Sequence, residues 1–147
     1  MRTYKIIFIF LFLIVAGFFI YFFAGTAQQA KDIVWGVNFS QKHAELLKLD
    51  WRKAYSALLD DLKVKNLKLL VSWDWIENQK GKPYFDDLDW QIKQAADNQA
   101  KIILVIGMKT GRWPECHIPD WAKNLSREDL QNSVLGYLEE IVPRYKN

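Results

Sequence analysis

Apolar and polar positions divide the chain into two unlike parts. Residues 6–24 (IIFIFLFLIVAGFFIYFFA) carry no charge, and no side of that stretch is polar enough to face water as a helix. As a helix it spans about 28 Å, close to the thickness of a bilayer's hydrocarbon core. Beyond it a different pattern appears three times: a short apolar run, a polar loop, then apolar residues recurring at helical spacing.

The first apolar run is IVWGVNFS (residues 33–40). A loop comes next, and then a helix that starts near Asp50, a suitable N-cap. Trp51, Ala54, Tyr55, Leu58, Leu59 and Leu62 fall on one face of that helix. Arg52, Lys53, Asp60, Asp61 and Lys63 make its wet side. The second run is LKLLVSW (residues 67–73), and its loop contains the breakers Gly81 and Pro83. The next helix aligns Leu88, Ile92, Ala95 and Ala96.

The third run, KIILVIGM (residues 101–108), is nearly continuous, the pattern of a strand covered on both faces. The last helix starts at Ser126, with Asp129 three residues on as a variant capping box. Leu130, Val134, Tyr137, Leu138, Ile141 and Tyr145 mark its buried side. Pro143 removes a backbone donor and crowds the carbonyl of Glu139, which predicts a kink or a stop. Strands alternating with helices of this length imply an α/β class, βαβ units and a parallel sheet with right-handed crossovers. A fourth strand does not show in the pattern.

Charge places these parts relative to a membrane. Arg2 and Lys5 flank the apolar segment on its N-terminal side, so the positive-inside bias keeps residues 1–4 in the cytoplasm. Residues 5–24 read as an uncleaved signal anchor, or as a cleaved signal peptide using the small residues Ala24, Gly25 and Ala27. Either reading exports the remainder of the chain: a polar linker at residues 25–32 and one domain at residues 33–147. Of the 20 Lys/Arg and 17 Asp/Glu, only Arg2, Lys5, Lys31 and Asp32 precede residue 33, so the domain's charges nearly cancel. No basic stripe stands out, and nucleic acid is not an expected partner. The single Cys cannot form an internal disulfide, which leaves the domain to be held by its core.

The second unit carries the most specific residues. SWDWIENQKGKPYFDDLD resembles the W-x-x-I-E-x-x-x-G-x-x-x-F-x-x-L-D signature after strand two in retaining glycoside hydrolases of the large TIM-barrel clan, which includes β-galactosidases and cellulases. The matching positions are Trp73, Ile76, Glu77, Gly81, Phe85, Leu88 and Asp89. WGVNFS is similar to that clan's G-x-N start at strand one, AKIILVIG to its third strand, and RWPECHIPDWA to the loop after that strand. The resemblance covers residues 33–147 and implies the first three βα units of a (β/α)8 TIM barrel, incomplete as it stands. It also implies a carbohydrate ligand.

In that clan a Glu after Asn at strand four is the acid/base and a Glu at strand seven is the nucleophile. No Asn-Glu pair occurs in this chain, so neither carboxylate is carried over and no catalytic residue is assigned. The expectation is a fragment of an exported glycoside hydrolase, inactive alone. Three strands leave two sheet edges unpaired, which suggests a completing chain or self-association. The alternative is a non-catalytic, membrane-tethered module that binds carbohydrate or a partner.

Ligands of such barrels bind at the C-terminal ends of the strands. Asn38, Trp73, Glu77, Arg112, Trp113 and His117 are the candidate sugar contacts there. Trp73 and Trp113 would be flat platforms for sugar C–H faces, or else packing residues. Arg112 and His117 would meet hydroxyls. Glu77 with Asp74 could be offered as a carboxylate pair, but in the resembled family the matching Glu shapes the loop after strand two. Cys116 beside His117 suggests a thiolate or a metal site. With His43 the only other His, a four-ligand zinc set is not available, and neither a metal nor a cofactor is expected.

Overall fold

The computed structural model describes residues 2–24, 31–111 and 114–146. The chain divides into two compact units, Met1–Ile33 and Val34–Asn147. The first contains helix α1 (Arg2–Ala24). Within it Tyr4–Phe23, 20 residues, is long and apolar enough to cross a membrane. Its large side chains, Phe8, Phe10, Phe12 and Tyr21 among them, are exposed on every side. Such a helix near an N-terminus serves as a membrane anchor or a signal sequence.

The second unit is mixed α/β. Three parallel strands, β1 (Val37–Phe39), β2 (Asn66–Ser72) and β3 (Lys101–Gly107), lie in sequential order. Helices α2 (Gln41–Leu46) and α3 (Trp51–Asp60) join β1 to β2. Helices α4 (Trp73–Ile76) and α5 (Asp86–Asp97) join β2 to β3. After β3 come a 3-10 turn at Asp120–Ala122 and helix α6 (Arg127–Tyr145).

Register decides which sheet face is covered. Val37, Leu67 and Ile102 form one row, and Phe39, Leu69 and Leu104 another, with Val71 beside Ile106 above them. Leu67, Leu69 and Val71 are 1–2% exposed, packed in one core with Tyr55, Leu59, Leu88 and Ile141 from the helices. Burying each of these side chains contributes about 1.5–3 kcal/mol. The alternate rows, Asn38–Lys68–Ile103 and Leu70–Val105, occupy the opposite face. Ile103 is 67% exposed there. The expectation that β3 is covered on both faces is therefore corrected at Ile103, while Val105, further along the same face, is half-buried.

Strand boundaries also differ from the pattern. β1 is three residues long, and Ile33, Val34 and Trp35 ahead of it are exposed. Among the described residues β1 pairs with β2 alone, and just before it the Asn66 side chain donates to the Trp35 carbonyl at 3.0 Å. Gly36 is required there, because a Cβ would lie 2.9 Å from the Asn66 carbonyl oxygen. Trp73, placed at the end of a strand by its pattern, instead opens the single turn of α4.

Among the helices, α3 begins as expected, with Asp50 accepting from the Lys53 amide at 3.1 Å. It stops at Asp60, which leaves Leu62 outside it and 68% exposed. On α5, Leu88 and Ala95 are buried but Ala96 faces solvent. The Ser126 hydroxyl caps α6 through the Asp129 amide at 3.1 Å. Helix α6 does not stop at Pro143 but continues to Tyr145. Pro143 lies in the last turn, so a single helical bond, to the Glu139 carbonyl, is lost. Beyond it Arg144 and Tyr145 both hydrogen-bond Asp89 on α5 and hold that end in place.

Candidate functional site

The C-terminal ends of the three strands bring together side chains far apart in sequence. Ser40 follows β1 and caps α2, accepting from the His43 amide at 3.3 Å. That cap starts the helix at Gln41 and sets Lys42 and His43 on its first turn. Asp74 sits on α4, directly after β2. The loop after β3 supplies Glu115 and His117, pinned to the strand end by the His117 amide donating to the Met108 carbonyl at 2.6 Å. Gly111 leaves room for this loop: its φ is +97°, and a Cβ there would lie 3.2 Å from Glu115 Oε2.

Lys42 Nζ donates to Asp74 Oδ2 at 2.6 Å and lies 3.1 Å from His117 Nδ1. The other face of the His117 ring, Nε2, stands 3.4 Å from Glu115 Oε2. Glu115 Oε1 in turn stands 3.6 Å from His43 Nε2. His43 Nδ1 is 2.8 Å from the Ser40 hydroxyl. One polar chain thus runs Ser40–His43–Glu115–His117–Lys42–Asp74 across all three strand ends.

Charge in this cluster is settled by proximity. Burial pushes the Asp74 carboxyl up, but the Lys42 ammonium, the Ser72 hydroxyl and His117 together hold it below the usual carboxylate range. Asp74 is therefore ionised and acts as an acceptor. An ammonium has donors only, so His117 Nδ1 must accept from Lys42, which puts the ring proton on Nε2 toward Glu115. Such an array of donors and acceptors suits a polyhydroxylated ligand.

Comparison with protein-family models, with curated proteins and with solved structures finds no match. What the site can do rests on its own geometry.

The candidate sugar contacts are placed differently from one another. His117 belongs to the polar chain, its side chain 14% exposed. Trp73 is fully buried, its ring edge-on to Trp121 at 5.4 Å and tilted against Tyr137 at 6.1 Å. The reading of Trp73 as a sugar platform is corrected: no ring face is open to a ligand, and the residue is core. Glu77 is tied up in its own loop. Its Oε2 accepts from the Trp73 indole at 2.9 Å and its Oε1 from the Gly81 amide at 2.7 Å, while its carbonyl accepts from the Trp121 indole at 2.9 Å. Asn38 lies within β1 on the open sheet face, beside Lys68 and outside the cluster. Arg112 and Trp113 lie outside the described residues.

Cys116 is exposed and free. Among the described residues no group of three or more His, Cys, Asp or Glu side chains is placed to hold a metal ion. Lys42 and His43 are members of this candidate cluster that the sequence pattern did not single out. The signal available was Ser40, an N-cap residue type whose helix turns out to be only six residues long.

Proposed function

We propose that the unit following α1 supplies the first three βα units of a (β/α)8 glycoside hydrolase barrel, exported and held at the membrane by α1. The observation that carries this reading is the one-sided sheet. Parallel strands in sequential order keep their helices on one face and leave Leu70, Ile103 and Val105 on the other. In a closed barrel the second face becomes the interior, where bulky apolar side chains fill the lumen in layers.

The polar chain from Ser40 to Asp74 stands at the strand ends where such barrels bind their ligands, and it would form one wall of a sugar cleft. His117 and Lys42 meet hydroxyls in this reading. No Asn-Glu pair occurs among these 147 residues, so this reading assigns neither catalytic carboxylate to them. The positive-inside bias of Arg2 and Lys5 supports a reading in which the domain lies on the far side of the membrane.

Two measurements test this. The purified chain is expected to release no nitrophenol from 4-nitrophenyl β-glycosides, and turnover abolished by Glu77→Gln or Glu115→Gln would overturn the reading. Reading the DNA past codon 147 gives the second: an encoded strand bearing an Asn-Glu pair supports the barrel, and unrelated sequence after a stop codon favours a binding module instead.

A further inference from the structure

The two edges of the sheet are unequal. β1 is three residues long and β3 seven, and among the described residues each pairs with β2 alone. The Lys101 amide donates to the Lys65 carbonyl at 2.9 Å, which sets the direction of the backbone groups along β3. These groups alternate from side to side along a strand, so Lys101, Ile103, Val105 and Gly107 turn theirs to β2. Ile102, Leu104 and Ile106 turn their N–H and C=O groups to the outer edge. Sheets commonly blunt such an edge with charge, proline or a bulge. Residues 102–106 (IILVI) carry neither charge nor proline, and their register against β2 runs unbroken. Beside the edge, on the helix-covered side, lies a cavity of about 440 Å³ lined by Ile92 and Ala96 of α5, Ile102 and Leu104 of β3, and Arg144 and Tyr145 of α6.

We infer that the outer edge of β3 docks a second copy of this chain, the two β3 strands pairing antiparallel about a two-fold axis at Leu104. The strand is self-complementary in that register. Leu104 meets Leu104 of the second copy, Ile102 meets its Ile106, Ile103 its Val105, and Lys101 its Gly107. The three residues with outward backbone groups thus oppose one another, as hydrogen-bonded antiparallel pairs require. A one-residue slip would set outward groups against inward ones, and a two-residue slip would leave Ile102 or Ile106 without an opposite residue in the strand. Facing β-branched side chains stabilise such a ladder, and no two lysines face each other across it. Ile102, Leu104 and Ile106 share the helix-covered side, so the second copy's Leu104 and Ile106 point toward the cavity at the edge. A two-fold contact also closes on itself, whereas β3 pairing with the three-residue β1 of another copy would propagate. The contact is edge to edge and leaves the open sheet face uncovered.

This pairing goes beyond the barrel reading and does not rest on it. In a closed barrel a fourth strand would take the same edge, so the self-pairing belongs to the 147-residue chain alone. Unrelated sequence past codon 147 would sink the barrel and leave the pairing untouched. A chain that stays monomeric would sink the pairing and leave the barrel untouched.

The test reads the register directly, because α1 could also associate in detergent. The full chain carries Cys116→Ser, which removes its exposed thiol, together with Ile103→Cys or Val105→Cys. In the two-fold register residue 103 of one copy and residue 105 of the other form a non-hydrogen-bonded pair with Cα atoms about 4.5 Å apart, within disulfide reach. Residue 103 lies about 8 Å from residue 103 of the other copy, and the same holds for 105, which is beyond that reach. With oxidised glutathione, an equimolar mixture of the two variants should link into a dimer on a non-reducing gel, and neither variant alone should do so. No link in the mixture, or linking of either variant alone to the same extent, overturns the proposal. A dimer by light scattering that fails this pattern assigns the association to another surface and overturns it equally. Should Val105→Cys fail to fold by circular dichroism, the Cys116→Ser chain supplies the second readout. Amide exchange at Leu104, whose N–H faces the outer edge, should slow as protein concentration rises, and an exchange rate independent of concentration overturns the pairing.

Discussion

Lys42 Nζ lies 3.1 Å from Nδ1 of His117, and an ammonium can only donate. The His117 ring is thereby fixed as the Nε2–H tautomer, with that proton turned toward Glu115 Oε2 at 3.4 Å. Ring ¹⁵N shifts of His117 at neutral pH are expected to report this single tautomer. In Lys42→Met the donor is gone, and the same spectrum should move toward a mixture of tautomers. A wild-type ring protonated on Nδ1 would contradict the arrangement of the whole cluster.

The same lysine sets a pH dependence. The carboxyls of Asp74 and Asp89 are both held below the ordinary range. At Asp74 burial pushes upward but is outweighed by the Lys42, Ser72 and His117 contacts; at Asp89 the Arg144 bond leads, joined by the Tyr145 hydroxyl. A carboxyl lowered in the folded state binds fewer protons than it does unfolded. Its stabilisation is complete above the unfolded pKa of about 3.9 and is lost as pH falls through the lower, folded pKa. The urea midpoint should therefore hold from pH 7 to about 5 and drop below about 4. Lys42→Met should make the acid drop smaller, because Asp74 then retains burial without its main lowering partner. An acid drop equal in both proteins would remove Asp74 from this account.

The two faces of the sheet should respond oppositely to mutation. Leu69, 1% exposed, sits in the covered row, and Leu69→Ala should cost about 2–5 kcal/mol through lost burial and a cavity. Ile103, 67% exposed on the open face, should tolerate Thr within about 0.5 kcal/mol in the isolated chain. Equal losses from the two changes, by urea denaturation, would mean that something covers the second face.

How much of this was legible in the sequence depended on whether local pattern or tertiary geometry decided the outcome. Asp50 and Ser126 cap their helices as their residue types dictate, because a cap is satisfied within three residues. Ile103 and Trp73 were misplaced for one reason: apolar content does not say which side of a strand is covered, or whether a strand has already turned into a helix. Helix α2 was missed because six residues carry too little periodicity to register. With it went Lys42 and His43, which reach His117 and Glu115 only through the parallel register of three strands. Glu77 was read both as a sugar contact and, through the resemblance, as a residue that shapes its loop, and its hydrogen bonds to Trp73 and Gly81 are of the second kind.

The end of α6 offers the last test. Pro143 leaves the Glu139 carbonyl without its helical donor, yet the helix continues to Tyr145. The tie is Asp89, which accepts from Arg144 Nε at 3.1 Å and from the Tyr145 hydroxyl at 2.6 Å. If that tie holds the last turn, Asp89→Asn should speed amide exchange at Arg144 and Tyr145 and leave exchange at Leu88 and Ile92 unchanged. Pro143→Ala should act in the other direction. It restores the missing donor and is expected to stabilise the chain by about 1–3 kcal/mol. In the double variant the alanine should recover part of the protection lost with Asp89, because a helix with its full set of backbone bonds depends less on the side-chain tie. A last turn that exchanges equally fast in the wild type and in Asp89→Asn would show that the helix end is held by its buried neighbours Tyr137 and Ile141 instead.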